Sequence, residues 1–251
     1  MDPTKKFDGR AKDYTAARPS YAAALIDCLY SSFDFSADSV IADIGSGTGK
    51  FAAHLLEKGS TVCCVEPNED MRRAAEKVLS GYGKFRSVNG GAEDTTLADD
   101  SVDHITTAQA FHWFDTEKFR RECSRIIRKG GKVALIWNVR DISAPVNREL
   151  HSLFTRFCPD FHGFSGGITQ DDDRIKQFFG GAYDHVSFDN PLYLDRERFI
   201  SRCLSGSYSL KEGDPDYPGY IKAVKALFDK YAADGIVTVP NRSEAYIGTV
   251  K

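Results

Sequence analysis

The chain has 251 residues and a formal net charge of -3. This length allows one domain with a full hydrophobic core, and the acidic balance disfavours nucleic acid and anionic membrane surfaces as partners. The first residues, MDPTKKFDGRAKDY, contain no apolar run, so we expect no signal peptide, and no stretch of the sequence approaches the roughly 18 apolar residues of a membrane span. Six cysteines occur without a C-x-x-C pair, which predicts reduced thiols in a cytoplasmic protein.

A polar segment, FDGRAKDYTAARPSY, precedes a stretch with helical spacing, AALIDCLYSSF. The aromatic residues of this N-terminal arm, residues 1–36, allow two interpretations. In the first, they pack against the body of the protein. In the second, a ring such as Tyr14 lies at the mouth of a site, where it attracts a cation, and Arg18 pairs with a carboxylate.

The motif VIADIGSGTGKF spans residues 40–51. Apolar or small residues flank Asp43, as expected for a strand buried on both faces of a parallel sheet. A glycine turn, residues 45–49, follows, and then Phe51 and Leu55 recur at helical spacing. Strand, glycine turn and helix form the first half of a nucleotide-binding βαβ unit, in which the helix N-terminus offers free N–H groups to a ligand.

Motif spacing discriminates among the ligands that such loops bind. The dinucleotide fingerprint requires glycine at position 50, where Lys50 stands, and Phe51 replaces the hydroxyl residue of a phosphate-binding loop. Both phosphate interpretations are therefore weakened. Glu66 follows the second predicted strand, residues 60–65, and an acid at that position accepts hydrogen bonds from ribose hydroxyls. This predicts a ribose-bearing ligand, although NAD enzymes share the feature.

Helices and strands continue to alternate as far as Asn138. One predicted helix begins at Asn68, and a later one includes Phe119 to Ile127 and is ended by residues 129–131. The predicted strands span residues 85–88, 104–111 and 132–138. The end of the fourth strand is where such a sheet reverses its winding direction. We therefore expect ligands to gather at residues 108–115.

The pattern Asp43-x-Gly45-x-Gly47-x-Gly49 resembles the signature of the class I S-adenosylmethionine-dependent methyltransferases. Later segments are similar to the "G.AED", "LP..S.D" and "A.HWFD" phrases of the methyltransferase type 11 group, except that Ala98 replaces a proline. The N-terminal "Y…RP.Y" stretch, which includes Tyr14 and Arg18, resembles that of trans-aconitate-methyltransferase-like members.

The resemblance implies S-adenosyl-L-methionine as cofactor, S-adenosyl-L-homocysteine as product and no metal. His112 is the candidate for proton transfer, with a histidine that only hydrogen-bonds to the backbone as the alternative. The resemblance places Met71 at the cofactor, but this residue can equally be a plain core methionine. The implied cofactor-binding residues are Tyr14, Arg18, Asp43, Gly45, Ser46, Gly47, Glu66, Pro67, Met71, Ala92, Glu93, Ala108, Gln109 and Trp113.

The resemblance fades beyond Asn138. Further helices are predicted near residues 145–157, 171–180, 196–204 and 220–232, and strands at 185–192 and 243–250. The aromatic residues Phe199, Tyr208, Tyr217 and Tyr220 are predicted to define the acceptor pocket.

The predicted fold class is α/β. We expect a Rossmann-like, doubly wound sheet of about seven strands in the order 3-2-1-4-5-7-6, with strand seven antiparallel, helices on both faces and a helical cap. Residues 1–251 are predicted to form a single domain. It comprises the arm, a cofactor-binding core (37–138), the cap and acceptor-side segments (139–240) and the last strand (243–250).

The predicted function is methyl transfer to a small-molecule carboxylate or hydroxyl, by a monomer or homodimer. The [DN]-P-P-[YF] sequence of methyltransferases that modify exocyclic or amide nitrogens is absent after strand four. Two alternatives remain: an NAD(P)-dependent oxidoreductase, and a non-catalytic protein that binds S-adenosylmethionine.

Overall fold

The computed structural model describes residues 19–164, 172–206 and 208–250, and a seven-stranded sheet lies at its centre. The spatial order of the strands is β3-β2-β1-β4-β5-β9-β6, in which β9 runs antiparallel to both neighbours. This confirms the predicted Rossmann-like sheet. The strands of the chain are β1 (Val40–Ile44), β2 (Thr61–Val65), β3 (Phe85–Val88), β4 (Val102–Ala108), β5 (Ile127–Arg140), β6 (Tyr183–Asp189), β7 (Leu192–Leu194), β8 (Val237–Val239) and β9 (Asn241–Gly248).

Helices cover both faces of the sheet because its central strands are apolar on both sides. Ile41 and Ala42, neighbours on β1, are both fully buried, and each joins a different core cluster. None of the helices in the described ranges is both long and apolar enough to cross a membrane. The helices are α1 (Ala23–Ser32), α2 (Lys50–Glu57), α3 (Glu69–Leu79), α4 (Thr116–Ile126), α5 (Pro145–Phe157), α6 (Asp173–Phe179), α7 (Arg196–Leu204) and α8 (Tyr217–Tyr231).

A cap with its own hydrophobic core is built from α5, α7 and α8 together with the β7–β8 pair. Phe199 and Tyr220 are fully buried within this core, and the Tyr220 hydroxyl donates a hydrogen bond of 2.8 Å to the Cys203 carbonyl. The prediction that these two aromatic residues define the acceptor pocket was wrong. Their apolar surface stabilises the cap, so they are not available to a ligand.

The boundary between α4 and β5 also differs from the prediction. The helix ends at Ile126, and the strand begins at Ile127, which pairs with Val102, before the glycines that were expected to separate the two elements. The register then shifts, so that His104 pairs with Lys132. Gly131 permits this bulge because a Cβ atom there would overlap the carbonyl oxygen of Asp103.

The single strand predicted over residues 185–192 is divided in the structure. β6 ends at Asp189, and β7 then pairs with β8, a two-stranded sheet that was not predicted. Pro191 lies at the break and has no backbone N–H for a ladder. The preceding Asn190 instead bonds through its N–H to the Asn241 carbonyl at 2.7 Å, which holds the turn against β9.

Candidate functional site

A cavity of about 370 Å³ lies at the carboxyl ends of the parallel strands, where the order of the sheet reverses between β1 and β4. Tyr14 and Arg18 fall outside the described residues. His112 is not part of the cavity lining. All the other residues predicted for the site line it, namely Asp43, Gly45, Ser46, Gly47, Glu66, Pro67, Met71, Ala92, Glu93, Ala108, Gln109 and Trp113.

The glycine loop forms the floor of this cavity. Gly45 has a φ of 68° and lies so close to its neighbours that an added Cβ atom would come within 2.7 Å of the Ala110 Cβ. Gly47 has a φ of 55°, but an added Cβ there would meet nothing within 4 Å. Both positions need glycine for the left-handed backbone. Only Gly47, however, has open space beside it.

Glu66 lies at the end of β2 and binds the glycine loop directly. Its Oε2 accepts a hydrogen bond from the Gly47 N–H at 2.9 Å, and its Oε1 accepts one from the Asn68 N–H at 2.9 Å. Burial raises the pKa of this carboxyl, and the two backbone hydrogen bonds act in the opposite direction. Asn68 in turn accepts from the Met71 N–H at 3.0 Å and caps α3. The carboxylate is therefore held rigidly at the cavity wall.

Asp43 is the most deeply buried acid of the cavity, with 1% of its surface exposed. Its Oδ1 accepts a hydrogen bond of 2.8 Å from the Thr106 hydroxyl on β4, whereas its Oδ2 has no partner within the described part of the chain. Burial raises the pKa of Asp43 to about 7, with a hydrogen bond from Thr106 opposing the shift and the charge of Glu66 adding to it. The site thus holds a carboxyl that a cation would keep ionised.

The turn after β4 forms another wall of the cavity. Gln109 adopts a φ of 58°, its N–H donates to the Ile136 carbonyl at 2.9 Å, and its Nε2 donates to the Asn138 carbonyl at 3.1 Å. Asp115 caps α4, and its N–H donates to Glu93 Oε1 at 2.9 Å. These bonds tie the turn to β5 and to the segment that follows β3.

His112 lies on the 3₁₀ turn Phe111–Trp113 and is not among the residues that line the cavity. Its ring centroid is 4.9 Å from that of Trp113, which does line the cavity and is 39% exposed. The structure therefore brings Trp113 to the cavity wall but leaves His112 beside it. A role for His112 in proton transfer stays a prediction.

Several lining residues were missed by the sequence reasoning. Asn138 ends the part of β5 that was predicted, and the rule that ligands gather at carboxyl ends of strands would have found it. Tyr21, by contrast, ends the "Y…RP.Y" stretch that the sequence analysis singled out; it lines the cavity and packs edge-on against Phe51, with ring centroids 5.0 Å apart. Arg202 comes from α7 in the cap, and no local signal in the sequence relates it to the sheet.

Comparison with known proteins gives a family match for the central segment of the chain. Residues 42–135 match a family model described as "Methyltransferase domain". The uncharacterized methyltransferase Rv3342 of Mycobacterium tuberculosis is 34% identical over 210 residues, which cover 83% of this chain and 79% of that protein. The uncharacterized methyltransferase-like C25B8.10 of Schizosaccharomyces pombe is 32% identical over 164 residues, which cover 64% of this chain and 62% of that protein.

Solved structures resemble the fold as a whole. The YcgJ protein of Bacillus subtilis superposes with a TM-score of 0.58 at 18% sequence identity, covering 90% of this chain and 97% of that one. A protein from Anaeromyxobacter dehalogenans gives a TM-score of 0.60 at 23% identity, covering 93% and 98% respectively. At these identities the likeness concerns the fold alone.

Proposed function

This chain belongs to the methyltransferase family, and we propose that it transfers a methyl group from S-adenosyl-L-methionine to an oxygen of a small-molecule acceptor, leaving S-adenosyl-L-homocysteine. The observation that carries the choice of cofactor is the pair of buried acids, Asp43 and Glu66, in one cavity with the glycine loop. The finer resemblance to trans-aconitate-methyltransferase-like members is part of the proposal.

The cavity residues fit the parts of this cofactor. Each oxygen of Glu66 accepts one backbone N–H and has further lone pairs, which suit the two ribose hydroxyls. The Oδ2 of Asp43, which has no hydrogen-bond partner among the described residues, suits the α-ammonium group of the methionine moiety. The open space beside Gly47 suits the chain of that moiety, and the apolar Met71 and Ala92 suit the adenine.

S-adenosylmethionine, when bound, supplies an electrophilic methyl group whose bond to sulfur breaks, leaving the electron pair on sulfur, as the acceptor oxygen forms its bond to carbon. The protein therefore has to align the acceptor, and alignment of this kind contributes about 7–11 kcal/mol. Gln109, fixed by its bonds to β5, and Trp113 hold the wall where the acceptor would meet the methyl group. The Trp113 ring also attracts a sulfonium.

The acceptor is proposed to be a carboxylate or a hydroxyl. A carboxylate needs no proton removed, whereas a hydroxyl needs a base that accepts its proton. A small molecule, in place of nucleic acid, is supported by the net charge of -3 and the size of the cavity. Cytoplasmic location, a monomeric or homodimeric state and independence of metal are kept as proposals.

Cofactor binding is expected to strengthen with pH. The pKa of Asp43 is raised to about 7, so this carboxyl is largely protonated at pH 6, and a bound ammonium group requires the ionised form. Below pH 7 the ligand must displace a proton from Asp43 in order to bind. Above pH 7 this carboxyl is already ionised. We expect the affinity for S-adenosylhomocysteine to rise about tenfold between about pH 6 and pH 8, measured by calorimetry.

The matched control is Asp43→Asn, which keeps the size of the side chain and an oxygen for the Thr106 hydroxyl. This variant should bind more weakly and lose the pH dependence. An equally steep pH dependence in the variant would assign the titration to another group, and the proposed contact with the ammonium would fail.

Titration of the protein with S-adenosylmethionine, and with NADH in parallel, tests the cofactor. We expect micromolar binding of the first and none of the second, because the acids and the glycine spacing suit a ligand without pyrophosphate. Binding of NADH alone would favour the oxidoreductase alternative. If the expected binding is seen, incubation with methyl-labelled cofactor and metabolite extracts separates an enzyme, which labels a product, from a non-catalytic binding protein.

A further inference from the structure

Ser20, which lies shortly before α1, is held by side chains from three other parts of the fold. Its carbonyl oxygen accepts hydrogen bonds from Asn138 Nδ2 at 3.1 Å and from Asn190 Nδ2 at 2.8 Å. Its hydroxyl is hydrogen-bonded to His54 Nε2 at 2.6 Å. These partners belong to β5, to the turn between β6 and β7 and to α2, so Ser20 joins segments that are far apart in the sequence.

Ser243 on β9 connects these groups from beneath and is fully buried. Its hydroxyl donates to Asn138 Oδ1 at 2.6 Å. It accepts from the Ala22 N–H at 2.9 Å and from Asn190 Nδ2 at 3.2 Å. A hydroxyl has one hydrogen to donate and two lone pairs, so every hydrogen-bonding position of Ser243 is used. Asn190 Nδ2 also lies 3.1 Å from Asn138 Oδ1, so its two hydrogens have three acceptors within reach.

This network borders the cavity without belonging wholly to it. Asn138 lines the cavity, as do Pro19 and Tyr21 on either side of Ser20. Asn190 and Ser243 are not among the described residues that line it. Since the bonds to Ser20 fix its backbone, they also fix the place where its two neighbours meet the cavity.

The wall that these residues form lies at the end of the cavity away from Glu66. β5, which carries Asn138, is separated by β4 and β1 from β2, which Glu66 follows. Neighbouring strands are about 4.8 Å apart, so three such spacings amount to about 14 Å. In the proposed binding mode the ribose lies at Glu66 and the methionine moiety at Asp43 on β1. The wall then faces the methionine moiety and the methyl acceptor.

We propose that Asn190 and Ser243 are positioning residues for this wall. They act by holding the carbonyl of Ser20 and the side chain of Asn138, without contacting a ligand themselves. Because Asn190 lies immediately beyond β6 and β7 belongs to the cap, the same bonds tie the cap to the wall. The inference rests on the proposed function, which assigns the wall to the end of the cavity where methyl transfer takes place.

The variant Asn190→Asp tests the proposal because it keeps the size of the side chain but replaces the donor Nδ2 by an oxygen. We expect the dissociation constant of S-adenosylhomocysteine, measured by calorimetry, to rise about 2- to 10-fold, as the loss of such a hydrogen bond predicts. Asn190→Ala should act in the same direction. The matched control is Asp189→Asn, the reverse exchange at the preceding residue, whose exposed side chain pairs with Arg242. Its affinity should equal that of wild type.

Hydrogen exchange of backbone amides in the ligand-free protein separates positioning from general stability. In Asn190→Asp we expect the amides of residues 20–22 to exchange several-fold faster than in wild type, while those of β4 at the centre of the sheet exchange as in wild type. Ser243→Ala should accelerate the exchange of the Ala22 amide, because it removes the oxygen that accepts from that N–H. Amide-resolved nuclear magnetic resonance measures these rates.

Unchanged affinity for S-adenosylhomocysteine in Asn190→Asp would overturn the proposal. Faster exchange throughout the sheet, β4 included, would assign the network to general stability and overturn it as well. If the wild-type protein does not bind S-adenosylhomocysteine, the proposed methyl donor is wrong, but the exchange rates still decide whether Asn190 holds residues 20–22. Faster exchange confined to that segment would support the positioning role, and unchanged exchange there would exclude it.

Discussion

Replacement of Gly45 by alanine is expected to lower the free energy of unfolding by about 2–5 kcal/mol. About 1–2 kcal/mol of this comes from placing a side chain on the left-handed backbone, whose φ is 68°. The rest comes from overlap, since the new Cβ atom would lie 2.7 Å from the Ala110 Cβ and 3.1 Å from Phe114 Cζ. Denaturant unfolding monitored by circular dichroism measures the change.

Gly47→Ala is the matched variant within the same loop. Its φ of 55° carries a similar backbone cost, but the added Cβ atom meets no neighbour within 4 Å. We therefore expect a loss of only about 1–2 kcal/mol in the free energy of unfolding. The loss in binding free energy for S-adenosylhomocysteine should be larger than this, because the added methyl group enters the cavity. Equal stability losses in the two variants would show that the contact with Ala110 yields to the added atom.

The parts of the fold that follow from short stretches of sequence were predictable. Val40 to Leu56 encode an apolar strand, a glycine turn and an amphipathic helix, and the structure has all three in the expected places. The start of α3 was likewise predicted at Asn68, which caps the helix in the structure. In each case residues a few positions apart determine the conformation, and the burial of the strand between two helical layers only reinforces it.

The parts that depend on distant pairing were not predictable. The start of β5 at Ile127 depends on its pairing with Val102 and on the bulge at Gly131. The β7–β8 pair joins segments more than forty residues apart, as Leu192 pairs with Val239. Neither segment of that pair is long enough to show a periodic pattern.

The residues of the candidate site likewise include some that could be predicted from the sequence and some that could not. Asp43 and Glu66 could be predicted because each lies within one residue of the carboxyl end of a strand with a recognisable sequence, and the parallel sheet brings strand ends together. Arg202 could not be predicted, because the folding of the cap brings α7 to the cavity.

Replacement of Glu66 by alanine is expected to weaken binding of S-adenosylhomocysteine by about 10- to 150-fold, which corresponds to the roughly 1.5–3 kcal/mol of a charge-assisted hydrogen bond. The variant also leaves the N–H groups of Gly47 and Asn68 without the carboxylate that accepts from both. We therefore expect a further loss of about 1–3 kcal/mol in the free energy of unfolding. Calorimetry and denaturant unfolding measure the two effects separately.

Two further variants isolate the role of the charge. Glu66→Gln keeps one oxygen that can accept a backbone N–H, so its stability should lie nearer to wild type than that of Glu66→Ala, while its affinity for the ligand stays reduced. Glu69→Ala removes a nearby exposed acid that pairs with Arg73 on the surface of α3, and its affinity should equal that of wild type. An unchanged dissociation constant in Glu66→Ala would exclude a ribose contact at this carboxylate, and the cofactor would then have to be held by Asp43 and the glycine loop alone.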